Sequence, residues 1–147
     1  MDTRPIEIFS DSMKKLINKL NYFNEVGAYD KIISMILEIP EEERDYELIS
    51  HLARAYNNYG TFVTQRKEEY LEAITLLLSV KEEGKNDPLW YYRMGYGYMS
   101  LNINDKALKY FKKSYELDDS SLELEELLEI LEIEVKLEKI AIDEQFT

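Results

Sequence analysis

The sequence has no cysteine, a single histidine, five glycines and three prolines among its 147 residues. Without cysteine, disulfides, thiolate catalysis and cysteine-based metal sites are excluded. So few glycines and prolines are unusual for a β-sandwich or for an α/β enzyme with many tight turns, and the composition therefore favours helices. No apolar run approaches the roughly 20 residues that span a bilayer, and the N-terminus has no basic-then-apolar signal pattern. We expect a cytoplasmic protein without a membrane segment.

Negative charge is abundant and unevenly distributed. The net charge is −12, and residues 119–147 carry ten acids and two bases, which is −8 of that total. A solvated helix face is the simpler interpretation of this acidic segment, and a docking strip for a basic partner is the alternative. No cluster of basic residues could follow a phosphate backbone, so nucleic acid is not an expected partner.

Apolar residues recur at spacings of three and four almost throughout the chain, which predicts about seven amphipathic helices in one all-α domain over 1–147. Helix caps and breakers mark their ends. The predicted signals are Ser10 or Asp11 before a first helix from Ser12, Gly84 after a fourth helix over about 64–83, Asp87-Pro88 before a fifth, and a Ser120–Glu123 capping box before a seventh.

Residues 88–119 carry a pattern that strongly resembles the tetratricopeptide repeat. The pattern places a large residue, a small residue and a tyrosine on a first helix, and alanine with an aromatic residue on a second. The matching positions are Tyr91, Met94, Gly95, Tyr98, Ala107, Phe111, Ser114 and Leu117.

Two earlier helix pairs match the same family less closely. The second pair is longer than the family period by eight residues, which places an insertion between Gly60 and Ala73. The resemblance implies a right-handed superhelical array of antiparallel helix pairs, a tetratricopeptide-like α-solenoid. Its repeats would cover about 13–45, 46–87 and 88–119, with a capping helix over 120–142.

The aromatic- and glycine-rich stretch WYYRMGYGYM (90–99) is explained by packing. At 100° per residue, Tyr91, Met94, Gly95 and Tyr98 share the face that meets neighbouring helices. Gly95 has no side chain, so another helix is expected to approach closely there. It does not lie in a strand-to-helix turn, which excludes a phosphate-binding loop.

The resemblance implies that the opposite face of the first helices lines a concave groove, which this family uses for binding. Its asparagines can hold an extended peptide backbone, its arginines can grip a carboxylate, and its large side chains favour apolar anchors. A merely solvated polar face is the alternative. The expected groove residues are Asn18, Asn21, His51, Arg54, Asn57, Asn58, Tyr92, Arg93, Tyr96 and Met99.

One variant of the family clamps a C-terminal carboxylate with lysine, asparagine and arginine. Asn21 and Arg93 stand at matching places, but the matching lysine places hold Ile17 and Leu89, and the remaining asparagine place holds His51. The clamp is therefore incomplete, and binding of a chaperone tail is not expected.

No catalytic or cofactor constellation is found in the sequence. The lone His51 has no second base, cysteine or positioned serine beside it, and the acidic runs lack the alternating ligands of a calcium loop. We therefore expect neither an enzyme nor a cofactor- or metal-binding protein. The insertion over 60–70 is equally compatible with local packing and with a protruding contact made by Phe62 and Val63.

The last helix carries more apolar residues than a cap requires. Leu124, Leu131 and Val135 share one stripe, whereas Leu122, Ile133 and Ile140 lie elsewhere. The surplus predicts a second contact, either a homodimer through this helix or another protein. The expected function is thus a non-catalytic adaptor or scaffold that binds a protein or peptide in its groove. The alternative is a structural oligomer assembled through the acidic C-terminal helix.

Overall fold

The computed structural model describes residues 4–145, and side-chain surroundings are described from 11 to 144. Within 4–145 the chain forms eight α-helices and no strand. The predicted all-α, tetratricopeptide-like array is confirmed. The helices are α1 (Arg4–Glu25), α2 (Tyr29–Leu37), α3 (Tyr46–Tyr59), α4 (Lys67–Ser79), α5 (Lys81–Gly84), α6 (Pro88–Ser100), α7 (Asn104–Leu117) and α8 (Leu122–Gln145), with a 3₁₀ turn at Glu41–Glu43 and a π-helical segment at Gly60–Thr64.

The helices pack in the order of the chain, as pairs α1/α2, α3/α4 and α6/α7 followed by α8. Each second helix also contacts the first helix of the next pair, so α2 lies on α3 and α4 on α6. The first helices α3 and α6 touch directly. This arrangement brings α1, α3 and α6 to one side of the array, and α8 covers α7 at its end.

Three apolar clusters follow one another along this array. Leu20 of α1 packs with Ile32 of α2 and Leu48 of α3, and each of these side chains is fully buried. The second cluster joins α3, α4 and α6 around Trp90, and the third joins α7 and α8 around Phe111. Each large buried side chain contributes about 1.5–3 kcal/mol, so stability is spread along the stack.

The close approach expected at Gly95 is present, and Phe111 of α7 is the side chain that makes it. A Cβ atom added to Gly95 would lie 2.7 Å from the Phe111 ring, closer than carbon atoms can pack without displacement. At Gly84 an added Cβ would overlap the Trp90 ring in the same way. The indole also donates a 2.8 Å hydrogen bond to the Leu77 carbonyl. Gly84 thus makes room for an aromatic ring.

Several predicted helix boundaries are wrong. The first helix begins at Arg4, not near Ser12, because Pro5 in the first turn is compatible with a helix start. The predicted fourth helix is interrupted at Val80, whose backbone leaves the helical region (φ −119°, ψ 28°), so α4 ends at Ser79 and α5 forms one separate turn.

The predicted capping box at the start of the last helix is also wrong by one residue. Ser121, not Ser120, caps α8, because its hydroxyl accepts a 3.2 Å hydrogen bond from the Leu124 amide. The Ser120 hydroxyl donates instead to Asp118. The predicted start of the fifth helix is confirmed as α6, where the Asp87 side chain accepts from the Leu89 amide and Pro88 occupies the first turn.

The contact between Gly95 and Phe111 yields a stability prediction. Gly95→Ala should lower the free energy of unfolding by about 1–3 kcal/mol through overpacking, although alanine has the higher helix propensity. Thermal and denaturant unfolding measure the loss. In a Phe111→Leu background the same substitution should cost less, since the ring edge that meets the new Cβ is gone. A stabilised Gly95→Ala protein would contradict the packing described here.

Candidate protein-binding groove

A line of depressions runs along α1, α3 and α6. Between α1 and α3 lies one of about 370 Å³, and between α3 and α6 lie two of about 300 and 430 Å³. A fourth of about 260 Å³ continues from α6 to α8. We call the whole line the groove. The largest depression is lined by Arg54, Asn57, Asn58, Phe62, Leu89, Tyr92, Arg93, Tyr96 and Glu123.

Several polar side chains of the groove connect one first helix to the next. Arg54 of α3 donates to the Asn21 side chain of α1 over 3.3 Å, and Asn58 donates to Asn24 over 3.2 Å. The Asn57 amide donates to the Arg93 backbone carbonyl over 3.2 Å, which joins α3 to α6. These hydrogen bonds hold α1, α3 and α6 next to one another. Part of the polar surface of the groove therefore stabilises the fold.

Two polar atoms of the largest depression have no hydrogen-bond partner among the described residues. They are the Oδ1 atom of Asn57 and the Nε atom of Arg54. The Asn57 side chain is only 2% exposed. Each atom is enclosed by the protein, and an unsatisfied buried polar group costs about 1–3 kcal/mol of stability.

No carboxylate of the described chain forms a close ion pair with either guanidinium group of the groove, although the charge of Asp87 acts on Arg93 from a greater distance. Arg54 and Arg93 are half-buried, and neither forms an ion pair within 4 Å in the part of the chain described. Burial lowers the pKa of both groups, the charge of Arg54 lowers that of Arg93 further, and the charge of Asp87 partly offsets this lowering. Since arginine stays protonated at neutral pH, the depression holds two partly desolvated positive charges.

Aromatic side chains also line this depression. The Tyr92 hydroxyl donates to a Glu123 carboxylate oxygen over 3.1 Å, and burial, followed by that carboxylate, raises the pKa of Tyr92. The Tyr96 hydroxyl lies 2.7 Å from that of Thr61. Phe62 stacks on Tyr29 with 6.0 Å between ring centroids. We call Phe62, Tyr92 and Tyr96 the aromatic wall. Its tyrosines carry polar hydroxyls on apolar rings, as is common at binding surfaces.

His51 is held neutral under Arg54. An Arg54 guanidinium nitrogen lies 3.1 Å from Nδ1 of His51, and since arginine only donates, Nδ1 accepts and the proton of the ring belongs on Nε2. Burial, then the charges of Arg54 and Arg93, lower the pKa of His51 to about 4. His51 therefore accepts a hydrogen bond from Arg54 and carries no charge at neutral pH.

The structure brings most of the expected groove residues to the depressions. Asn21 lies beside them and accepts from Arg54, whereas Met99 lines none of the four and packs in the cluster with α8. The residues that line the depressions are Asn18, His51, Arg54, Asn57, Asn58, Tyr92, Arg93 and Tyr96.

Sequence analysis did not place several other lining residues in this groove, among them Tyr46, Asp87, Phe62 and Glu123. Tyr46 and Asp87 line the second α3/α6 depression and share a 2.6 Å hydrogen bond. Phe62 and Glu123 line the largest one. In the sequence, Asp87 is recognisable only as a helix cap, and Glu123 only as part of an acidic helix. Their position depends on how α6 and α8 pack, for which no local sequence signal exists.

The insertion packs locally and leaves an apolar tip exposed. The Thr61 hydroxyl donates to the Asn57 carbonyl over 3.1 Å, and Thr64 donates to Glu69 over 2.6 Å, so the segment is tied to α3 and α4. Phe62 and Val63 nevertheless remain 67% and 56% exposed. The π-helical turn therefore presents an apolar tip at the rim of the groove.

Within the described side chains, no group of three or more histidine or acidic residues is arranged to hold a metal ion. The described part also contains no helix that is long and apolar enough to cross a membrane.

Comparison with known proteins finds a partial match to a longer protein. The chain is 34% identical over 105 residues to Superkiller protein 3 of Schizosaccharomyces pombe. The match covers 70% of this chain but only 7% of that protein, so the chain resembles one stretch of a much longer protein. No protein-family model matches the chain.

The neutral state of His51 yields a pH prediction. Its pKa is about 4 in the folded protein, against an ordinary value of 6.5. Between these values the unfolded chain binds a proton that the folded chain does not. The free energy of unfolding should therefore fall as pH is lowered from 6.5 to 4, by up to about 1.4 kcal/mol per pH unit from this group.

His51→Asn is the matched variant, because the asparagine Oδ1 can replace Nδ1 as the acceptor for Arg54. Denaturant unfolding of both proteins between pH 4 and 7 separates this effect from carboxylate titration, which they share. The stability of the wild type relative to the variant should decrease as pH falls. A pH-independent difference would show that His51 is not held neutral.

Proposed function

We propose that this chain is a non-catalytic adaptor or scaffold module that binds an extended segment of a partner protein in the groove. The observation that carries this proposal is the largest depression, where Arg54 and Arg93 form no ion pair within 4 Å among the described residues and aromatic side chains lie beside them. The tetratricopeptide-like architecture supports it, since stacked helix pairs produce an extended concave surface suited to a linear ligand.

The chemistry of the depression favours a segment with an acidic side chain. A carboxylate between Arg54 and Arg93 would replace the water that they lose on burial, and hydrogen bonds between charged groups are about twice as strong as neutral ones. The groove thus offers a binding site for an anion between the two arginines.

The aromatic wall favours an apolar residue next to the acidic one. Phe62 is two-thirds exposed at the rim, and Tyr92 and Tyr96 are half-buried behind it. Aromatic side chains commonly supply the central energy of protein interfaces. A ligand with an acidic residue followed closely by a large apolar residue would use both parts of the depression.

A library of random peptides selected on the 147-residue chain tests this proposal, because the selection requires no assumption about which protein is the partner. The selected peptides should be enriched in an acidic residue near an aromatic or aliphatic one. Arg54→Gln and Arg93→Gln should each weaken their binding about tenfold or more, measured by calorimetry, because a charge-assisted hydrogen bond is worth about 1.5–3 kcal/mol.

Lys109→Gln is the matched control. Lys109 lies on the exposed surface of α7 and lines a depression on the other side of α6, outside the groove. Removing its positive charge should leave binding unchanged, while circular dichroism confirms that all variants fold. Selected peptides that bind wild type and both arginine variants equally would show that the groove is not the binding site.

A further inference from the structure

Helix α8 carries two apolar stripes, of which only one is covered. Leu124, Leu131 and Val135 are buried, at 2–8% exposure, where α8 packs on α7. Four other apolar side chains lie nearly opposite this stripe at 100° per residue. They are Ile130, Ile133, Leu137 and Ile140, and they are 57%, 59%, 54% and 54% exposed.

These four residues follow one another at spacings of three, four and three. That is the spacing of the a and d positions of two heptads, the pattern that pairs one helix with another. Single exposed apolar residues are ordinary on a protein surface, but a continuous row in heptad register is the form of an interhelical seam. We call this row the α8 seam. It is separate from the groove.

The charges beside the α8 seam are mainly negative. Glu126 precedes the seam by one turn, Glu129 and Glu134 flank it, and Lys136 is the one basic residue at its edge; all four are exposed. Charged residues at these flanking positions select the partner of a coiled coil. A helix with basic flanks would therefore be attracted to both sides of the seam.

A second copy of this chain fits the seam poorly. In a parallel pair, Glu129 would face Glu134 of the second copy. In the antiparallel register that aligns all four apolar layers, Glu134 would lie near Glu134 of the second copy. Lys136 would likewise lie near Lys136 of the second copy. Like charges placed opposite each other oppose association. The homodimer expected as one alternative is therefore electrostatically disfavoured along this seam.

We propose that the α8 seam is a docking site for a basic amphipathic helix of another protein, paired with α8 as a short coiled coil. The apolar row supplies the buried layer, and Glu126, Glu129 and Glu134 supply the charge complementarity. The partner helix would carry aliphatic residues at its own a and d positions and lysine or arginine beside them.

Two synthetic helices test the proposal on the whole 147-residue chain. Both peptides have about three heptads with isoleucine and leucine at a and d, and they differ only in lysine or glutamate at the flanking positions. Fluorescence anisotropy at low salt should detect binding of the lysine peptide and at least tenfold weaker binding of the glutamate peptide. Added salt should weaken the first interaction, because the attraction is between exposed charges.

A pair of isoleucine substitutions locates the site. Ile133→Glu should reduce binding of the lysine peptide at least tenfold. Ile142→Glu adds the same negative charge at a similarly exposed isoleucine, 55% against 59%, but outside the α8 seam, and it should not weaken binding. Since both side chains are exposed, neither substitution should change thermal unfolding.

Three results would overturn the proposal. One is equal binding of the two peptides, or no binding of either. Another is an Ile133→Glu variant that binds as wild type does. The third is sedimentation showing that the chain alone dimerises and that Ile133→Glu abolishes the dimer, because the occupant would then be a second copy.

Discussion

The packing of the helices depends on α6, which has a glycine on each of the two faces that meet its neighbours. Phe111 of α7 packs on Gly95, and Ile74 of α4 packs on Gly97, where an added Cβ would lie 2.9 Å from it. Helix α6 therefore sits close to the helices before and after it in the array. Gly95 and Gly97 lie on the faces of α6 that pack on α7 and α4. The remaining surface of α6, which carries Tyr92 and Arg93, faces the groove. A larger residue at either glycine would move these side chains together with the helix.

The fold was predictable because its signals are local and periodic. The spacing of apolar residues, the cap at Asp87 and the small residue at Gly95 each reflect contacts along one helix or between neighbours in sequence. One of the errors occurs where neighbouring residues offer similar signals. Ser120 and Ser121 can both cap a helix, and the choice between them depends on where α8 must begin in order to pack on α7.

The candidate groove was predictable only as a face. Projection along α3 and α6 places Arg54, Asn57 and Arg93 on one side, and the structure agrees. The projection cannot distinguish polar groups that join helices from those without a partner, because this distinction requires distances between helices. Asn58 is engaged by Asn24, whereas Asn57 keeps one atom unpaired. Glu123 also lines the groove, but it belongs to α8, a helix that the projection did not include.

Glu123 gives the proposed ligand a direction. Its carboxylate lines the same depression as Arg54 and Arg93 and accepts from Tyr92. A uniformly acidic segment would therefore be attracted at the arginines and repelled where α6 meets α8. A segment that places its acidic residue over α3 and an apolar or basic residue toward α8 avoids that repulsion. Because the opposite orientation would bring a carboxylate onto Glu123, one acidic side chain in the groove is enough to fix which way the partner runs along the array.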